Sequence, residues 1–304
     1  MIGNYHLCIS GGDSVIFRSE EDYIRGFNIL ALAVAETDSQ LYAESIMSTH
    51  VHQCVRTKDI YALASRFWRS YTLYFNNRYG RKGHLGGRPF IVELDGFYHW
   101  LTAICYVLRN AVHHGVAPTP FAYRHCSANA FFRKETGKIE PNDLLPRKSF
   151  YKHLPKGASC PPGYKMDKSG LILRDSVVEV VDVEHHFSTA RSFLFYMNRL
   201  SGEEWKREQE KDGCGLPPVT LETIEGRSSF QSLSEMLANE HGRFNSNAMS
   251  DIELCTMIDQ QVLPSLGWNS VYELTDKDRL LVMQTLVEDF SLPARQVRRC
   301  LALA

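Results

Sequence analysis

Three constellations in this chain could do chemistry. The first is His50 and His52, one residue apart. On a strand, residues two apart point to the same face. Both imidazoles would then project together and could bind one metal ion, with Val51 turned to the core. Two plain surface histidines fit the same spacing, so the pair alone leaves both readings open.

The second is Tyr106 with Asn110 four residues later. Residues i and i+4 share a helical face, so a phenol and an amide oxygen would project side by side. The competing reading is a core aromatic. Phe97, Leu101, Ile104 and Leu108 make the better apolar stripe, which sets Tyr106 on another face with Thr102 and His113.

The third is residues 56–88. Arg56, Lys58, Arg66, Arg69, Arg78, Arg81, Lys82 and Arg88 stand there against Asp59 alone, in a chain whose net charge is −1. Trp68, Tyr71, Tyr74, Phe75 and Tyr79 are interleaved, as are Asn76 and Asn77. Cations for phosphates and aromatic faces for bases make a single-strand binding surface. A solvated helix with its aromatics in the core would give the same composition.

The elements that must position these residues can be read in order. Residues 5–10 are rich in strand formers and stop at Gly11 and Gly12. Ser19 and Asp22 form a capping-box pattern, opening a helix of about four turns through Tyr23, Phe27, Leu30, Ala31 and Val34. Residues 41–47 and 51–55 read as strands joined at Ser48 and Thr49. Residues 60–79 read as a helix, 89–94 as a short strand, and 97–112 as a helix capped by Asp95. Adjacent strands with short links favour an antiparallel sheet covered by helices, an α+β fold. This order gives no (β/α)₈ barrel, which weakens an amidohydrolase reading of the histidines. Gln53, Cys54 and Val55 follow the pair where a metallo-β-lactamase-like site would continue with Asp-His.

The chain divides by composition into 1–130, a Pro-rich stretch 131–225 and a helical unit 226–304. In the middle stretch, a hairpin is expected at residues 167–170, one or two strands over 171–183 and a helix over 191–209. At the end, Thr275 and Asp278 form another capping box, opening a helix over 275–289; Ser291–Pro293 is a turn, and 294–303 a closing helix. These last two helices resemble the opening of a helix-turn-helix, with Arg295, Arg298 and Arg299 adding charge. A full unit of that kind would need one more helix after Ala304, so an accessory helical unit is expected instead.

Composition narrows the class. In 304 residues, 44% hydrophobic and 23% charged content excludes a disordered chain. No apolar run reaches the length of about 18 residues that spans a bilayer, and the first residues do not resemble a secretory signal. The eight cysteines show no C-x-x-C spacing, so zinc-ribbon and thioredoxin motifs are excluded. Scattered cysteines read as reduced thiols, and a cytoplasmic location is expected.

Taken together, residues 45–52, 74–88 and 106–112 occur in an order and at distances that resemble the single-tyrosine HUH transposases of insertion sequences and the related REP-associated tyrosine transposases. Residues 5–23 fit the start of that family's catalytic domain, and 123–128 its end, so the resemblance covers about 1–130. Two departures stand out. The family often has Pro-Asn before the histidine pair, where Ser48 and Thr49 stand here, and a proline at the position of Ala111. Neither removes a reacting group. Relaxases usually place the tyrosine before the histidines. Rolling-circle replication proteins favour a lysine three residues after the tyrosine, where this chain has Arg109.

The resemblance implies an HUH nuclease fold of the ferredoxin- or RRM-like type and a metal-dependent DNA strand transferase. His50, His52 and Asn110 would ligate Mg²⁺ or Mn²⁺, and Tyr106 would attack to give a covalent 5′-phosphotyrosine. The partner would be single-stranded DNA with a hairpin or palindromic repeat, held by Arg56, Lys58, Arg66, Arg69, Asn77, Arg78, Arg81, Lys82 and Arg88. A homodimer is compatible with it. The alternative is a domesticated protein that binds DNA hairpins without cutting.

Overall fold

The computed structural model describes residues 2–137, 143–198 and 249–303. Four strands, β1 (Gly3–Ser10), β2 (Gln40–Ile46), β3 (His50–Thr57) and β4 (Phe90–Leu94), form one antiparallel sheet in the order β2-β3-β1-β4. Three helices, α1 (Glu20–Glu36), α2 (Ile60–Tyr79) and α3 (Phe97–His113), alternate with them as the sequence indicates. The fold is the expected α+β arrangement of an antiparallel sheet flanked by helices.

Register decides which side chains meet which helix. Leu7 pairs with Gln53, Cys8 with His52, Ile9 with Val51 and Ser10 with His50. Opposed residues share a face, so Cys8, Ser10, His50 and His52 lie on one side, with His6 and Cys54 continuing the row. Leu7, Ile9, Val51 and Val55 lie on the other, and each is fully buried. α3 covers the histidine side, and α1 and α2 pack together over the apolar side.

Local chemistry accounts for the helix ends. The Ser19 hydroxyl accepts from the Asp22 amide while the Asp22 carboxylate accepts from the Ser19 amide, the capping box expected of these residues. Asp59 caps α2, and Gly80 ends it in the left-handed conformation that lacks a penalty only for glycine. The Asp95 cap is corrected: Gly96 holds the N-cap of α3 at φ 80°, and no side chain bonds there. The chain turns out of β4 through a backbone conformation that a residue with a Cβ rarely adopts.

The middle stretch wraps the outside of the sheet domain. The hairpin at Asp167 is present, with Met166 bridged to Ile172. The strands expected over 171–183 are not. Val178 makes one isolated bridge to Leu41, and the chain then coils into α4 (Val180–Phe187). β-branched residues favour strands only where a partner edge is free; β2 runs on to Ile46, but residues 125–127 already hold that edge through the Ile46 amide, the Ser45–Cys126 bridge and Ser127 on Glu44. α5 (Ala190–Asn198) follows; the rest of the helix expected over 191–209 lies outside the described residues. Asn28 of α1 ties this stretch down, donating to the Gly170 carbonyl and accepting from the Ile172 amide.

The last described stretch is helical: α6 (Asp251–Met257), continued by a π-helical turn Ile258–Val262, then α7 (Asp276–Glu288) and α8 (Ala294–Cys300). The Thr275–Asp278 capping box opens α7 as read. A small core of Leu254, Ile258, Leu263, Val297 and Leu301 receives Val15 from the β1–α1 loop. Arg18, fully buried, grips Asp259 with two nitrogens and donates to the Cys300 carbonyl. Ser48 donates to Asp251 at 2.6 Å. The unit is thus fastened to both loops that border the histidine pair. Among the described residues no disulfide forms, and no helix is long and apolar enough to cross a membrane.

Candidate active site

β3 supplies His50 and His52, and α3 supplies Tyr106 and Asn110. α3 is buried almost throughout, so its polar residues enter the interior with it. The His50 Nε2–H donates to Asn110 Oδ1 at 3.1 Å, and the Asn110 amide nitrogen reaches the Tyr106 hydroxyl at 3.4 Å. One amide therefore joins imidazole and phenol. The Thr49 hydroxyl meets His50 Nδ1 at 3.0 Å and fixes the ring from behind. The His52 ring stands edge-on to Tyr106, with centroids 5.3 Å apart, and 4.8 Å from His50. The structure thus brings together all four residues expected to form the centre.

It adds residues that sequence reading left out. His6 Nε2 lies 3.0 Å from His52 Nδ1, and the two rings stack. Cys8 Sγ lies 4.0 Å from His52 Nε2. His113 stacks on Tyr106 at 5.5 Å, and His114 stands edge-on to His50. The signal was present: His6, Cys8 and Ser10 alternate along β1 as His50, His52 and Cys54 do along β3. Only the register shows that the two polar rows share a face.

Burial sets the charge state. It pulls His6 down to about 3 and His50 and His113 to about 4. His52 and His114 fall well below the usual value through burial first and neighbouring imidazoles second. These imidazoles are neutral near pH 7, the state that metal ligation and proton acceptance require.

The donor set fits a divalent cation with one condition. His50 Nε2 and Asn110 Oδ1 already point at each other, and two ligands at right angles about 2.1 Å from one ion would sit about 3 Å apart. Among the described residues no group of three His, Cys, Asp or Glu side chains is placed to hold a metal. A metal site built on His50 and His52 would need the amide oxygen of Asn110 as its third protein ligand.

The sequence matches no protein-family model and no curated protein. A solved REP-associated tyrosine transposase bound to a REP hairpin is similar over 47% of this chain and 86% of its own, at 15% identity and a TM-score of 0.34. So distant a likeness carries no argument about the site, whose reading rests on its own side chains.

The basic segment does not form one surface. Lys58 pairs with Asp38, and Arg66 with Glu36. Arg78 lies 3.4 Å from the buried Asp22, which also accepts from Tyr74 and Tyr79. Arg56 and Arg69 are exposed, and Asn77 lines a separate groove between α1 and α2. The aromatics are structural: Phe75 is core, Tyr71 donates to the Ile16 carbonyl, and Trp68 donates to the Leu85 carbonyl. Arg81 is spent on the carbonyls of Gly83 and His84 and on the Tyr272 ring. Lys82 and Arg88 are exposed and line a cleft of about 1170 Å³, with Cys8 and Ser10 in its wall. Gly86 allows this closeness: a Cβ there would meet the Ser10 carbonyl oxygen at 2.4 Å. Phe90, partnered with Cys8 in the sheet and 36% exposed, stands at the same cleft. In the last helical stretch, Arg299 is buried against Asp251, so that cation serves the fold.

Proposed function

We propose that this chain cleaves and rejoins single-stranded DNA through Tyr106. The observation that carries the reading is the linked set His50–Asn110–Tyr106, with His52 beside it, drawn from two elements far apart in sequence. A phosphodiester repels nucleophiles with its negative charge. Held by His50, His52 and Asn110, a Mg²⁺ or Mn²⁺ ion would supply Lewis-acid stabilisation of the charge developing on the phosphate. Tyr106 Oη forms the new bond to phosphorus, the bond to the 3′ oxygen breaks, and that oxygen takes a proton as the phenol loses one. The products are a 5′-phosphotyrosine and a 3′-OH, and reversal rejoins the strand without an outside energy source.

Asn110 aims the phenol, and His6 aims His52. His113, stacked on Tyr106 and not assigned to the metal, offers a lone pair to its proton. Tyr106 is only 4% exposed, so the strand must displace a covering group. His113, half-buried and stacked on the ring, is the most accessible of its neighbours. The cleft beside Cys8, with Lys82 and Arg88 at its edge, suits a single strand, and a flanking hairpin or palindrome would set its register.

The test is a labelled hairpin oligonucleotide incubated with Mg²⁺ or Mn²⁺ and resolved under denaturing conditions. Wild type should yield a covalent band that protease removes, and Tyr106→Phe should not. A band from Tyr106→Phe would assign the chemistry to another nucleophile. Hairpin binding without any band would favour a non-cutting hairpin-binding protein.

A further inference from the structure

α3 carries a polar stripe: His99, Thr102, Tyr106, Arg109, Asn110 and His113 fall within about one third of its circumference at 100° per residue. Two of these side chains have unmet demands. Arg109 is 5% exposed, and among the described residues its Nε has no hydrogen-bond partner. Thr102 is 7% exposed, and its Oγ1 has none among the described residues either. They stand at i+3 and i−4 from Tyr106, so they flank the phenol along the helix.

Charge sharpens the point. Among the described residues no carboxylate pairs with Arg109; its electrostatic neighbours are Cys105 and His113, one turn away on either side. A buried cation without a counter-charge destabilises a fold, and one that persists calls for an anion that arrives later. Guanidinium suits a phosphate because its planar fork offers two parallel N–H bonds.

We propose that Arg109 is the anion-binding residue of this site, receiving the non-bridging oxygens of the phosphodiester beside Tyr106, with the Thr102 hydroxyl as a second donor. This rests on the Tyr106 reading for its substrate, but it concerns a different group. The proposal gives Arg109 a charge to neutralise, whereas His50, His52 and Asn110 are assigned to the cation.

Two measurements test it. The first needs no cleavage. Inorganic phosphate in the tens of millimolar should raise the thermal midpoint of wild type. Arg109→Met should show an unchanged or higher midpoint without phosphate and should lose the phosphate effect. A lower midpoint with the phosphate effect intact would make Arg109 a structural residue and overturn the proposal. The second uses the hairpin substrate with a neutral methylphosphonate at the scissile position. On the normal substrate Arg109→Met should lose about a hundred- to a thousandfold in rate, the usual cost of one transition-state donor. On the methylphosphonate the gap to wild type should shrink to within about threefold, because no charge remains to neutralise. An equal loss on both substrates would overturn the proposal. Arg109→Lys, keeping the charge without the fork, should lie between. If wild type gave no Tyr106-dependent product, the strand-cleavage reading would fail, and the phosphate experiment would still decide Arg109.

Discussion

The two faces of the β1–β3 strand pair are equally buried and chemically opposite. Toward α1 and α2 stand Leu7, Ile9, Val51 and Val55; toward α3 stand His6, Cys8, His50 and His52, none more than 3% exposed. The first row stabilises by leaving water, roughly 1.5–3 kcal/mol for each fully buried side chain. The second destabilises each imidazole's charged form and, among the described residues, leaves the His6 Nδ1 atom without a partner. Burial alone therefore does not mark a core. The second row resists charging and meets a phenol and an amide from the facing helix, and it is the row that the proposed strand cleavage would use.

That contrast can be broken most sharply at Tyr106. Tyr106→Phe should reduce cleavage at least about a thousandfold, as loss of a nucleophile does. It should change stability by only about 1 kcal/mol, the worth of one hydrogen bond. On the other face, Leu7→Ala should cost about 2–5 kcal/mol of stability through lost burial and a cavity. Its cleavage rate should hold wherever the protein remains folded. Urea unfolding midpoints and single-turnover rates, measured on both variants, check the crossing. Equal losses of stability would make Tyr106 a core residue.

A smaller effect follows from proton linkage. Burial depresses the folded-state values of His6 to about 3 and of His50 and His113 to about 4. A depressed imidazole stabilises the fold fully above its unfolded value, about 6.5, and the contribution falls as pH drops from there toward the folded value. Stability should therefore decline below about pH 6.5, by up to about 1.4 kcal/mol per pH unit for each such imidazole. His6→Leu should remove one imidazole's share of that slope, and Leu7→Ala none. Unfolding midpoints that stay flat from about pH 7 to 5 would show that the row is not desolvated.

Much of this frame was legible from short-range pattern. The Ser19 and Asp22 cap, the α2 periodicity, the same-face spacing of His50 and His52 and the i, i+4 spacing of Tyr106 and Asn110 are all local rules. What escaped was long-range. His6 looks like one more residue of a buried strand until register sets it beside His52. Arg78 counts as a surface cation until Asp22, 56 positions earlier, is seen to hold it with Tyr74 and Tyr79. The valines after Val177 suggest a strand, and the β2 edge they would extend is already held by residues 125–127. A charge tally over 56–88 cannot separate cations already paired from cations still available.

The finest test of the two-face contrast uses that separation. Lys58 and Arg66 lie on the side of α1 and α2 and carry carboxylate partners. Lys82 and Arg88 line the cleft that reaches Cys8 and Ser10 on the histidine side, and among the described residues no carboxylate pairs with them. If single-stranded DNA follows the chemical face, each contributing cation adds about 0.7 to the magnitude of the slope of log K against log salt. Lys82→Ala with Arg88→Ala should flatten that slope by about 1.4 and weaken binding to unrelated sequences alike. Lys58→Ala with Arg66→Ala should leave it unchanged, although the second pair removes as much charge from the same segment. Fluorescence anisotropy with a short single strand across a salt series reads both. Equal flattening by the two pairs would mean that the strand responds to net charge, not to the face that holds Tyr106. The converse pattern, with the α2 pair dominant, would move the strand to the far side of the sheet and leave the cleft beside Cys8 without a nucleic-acid role.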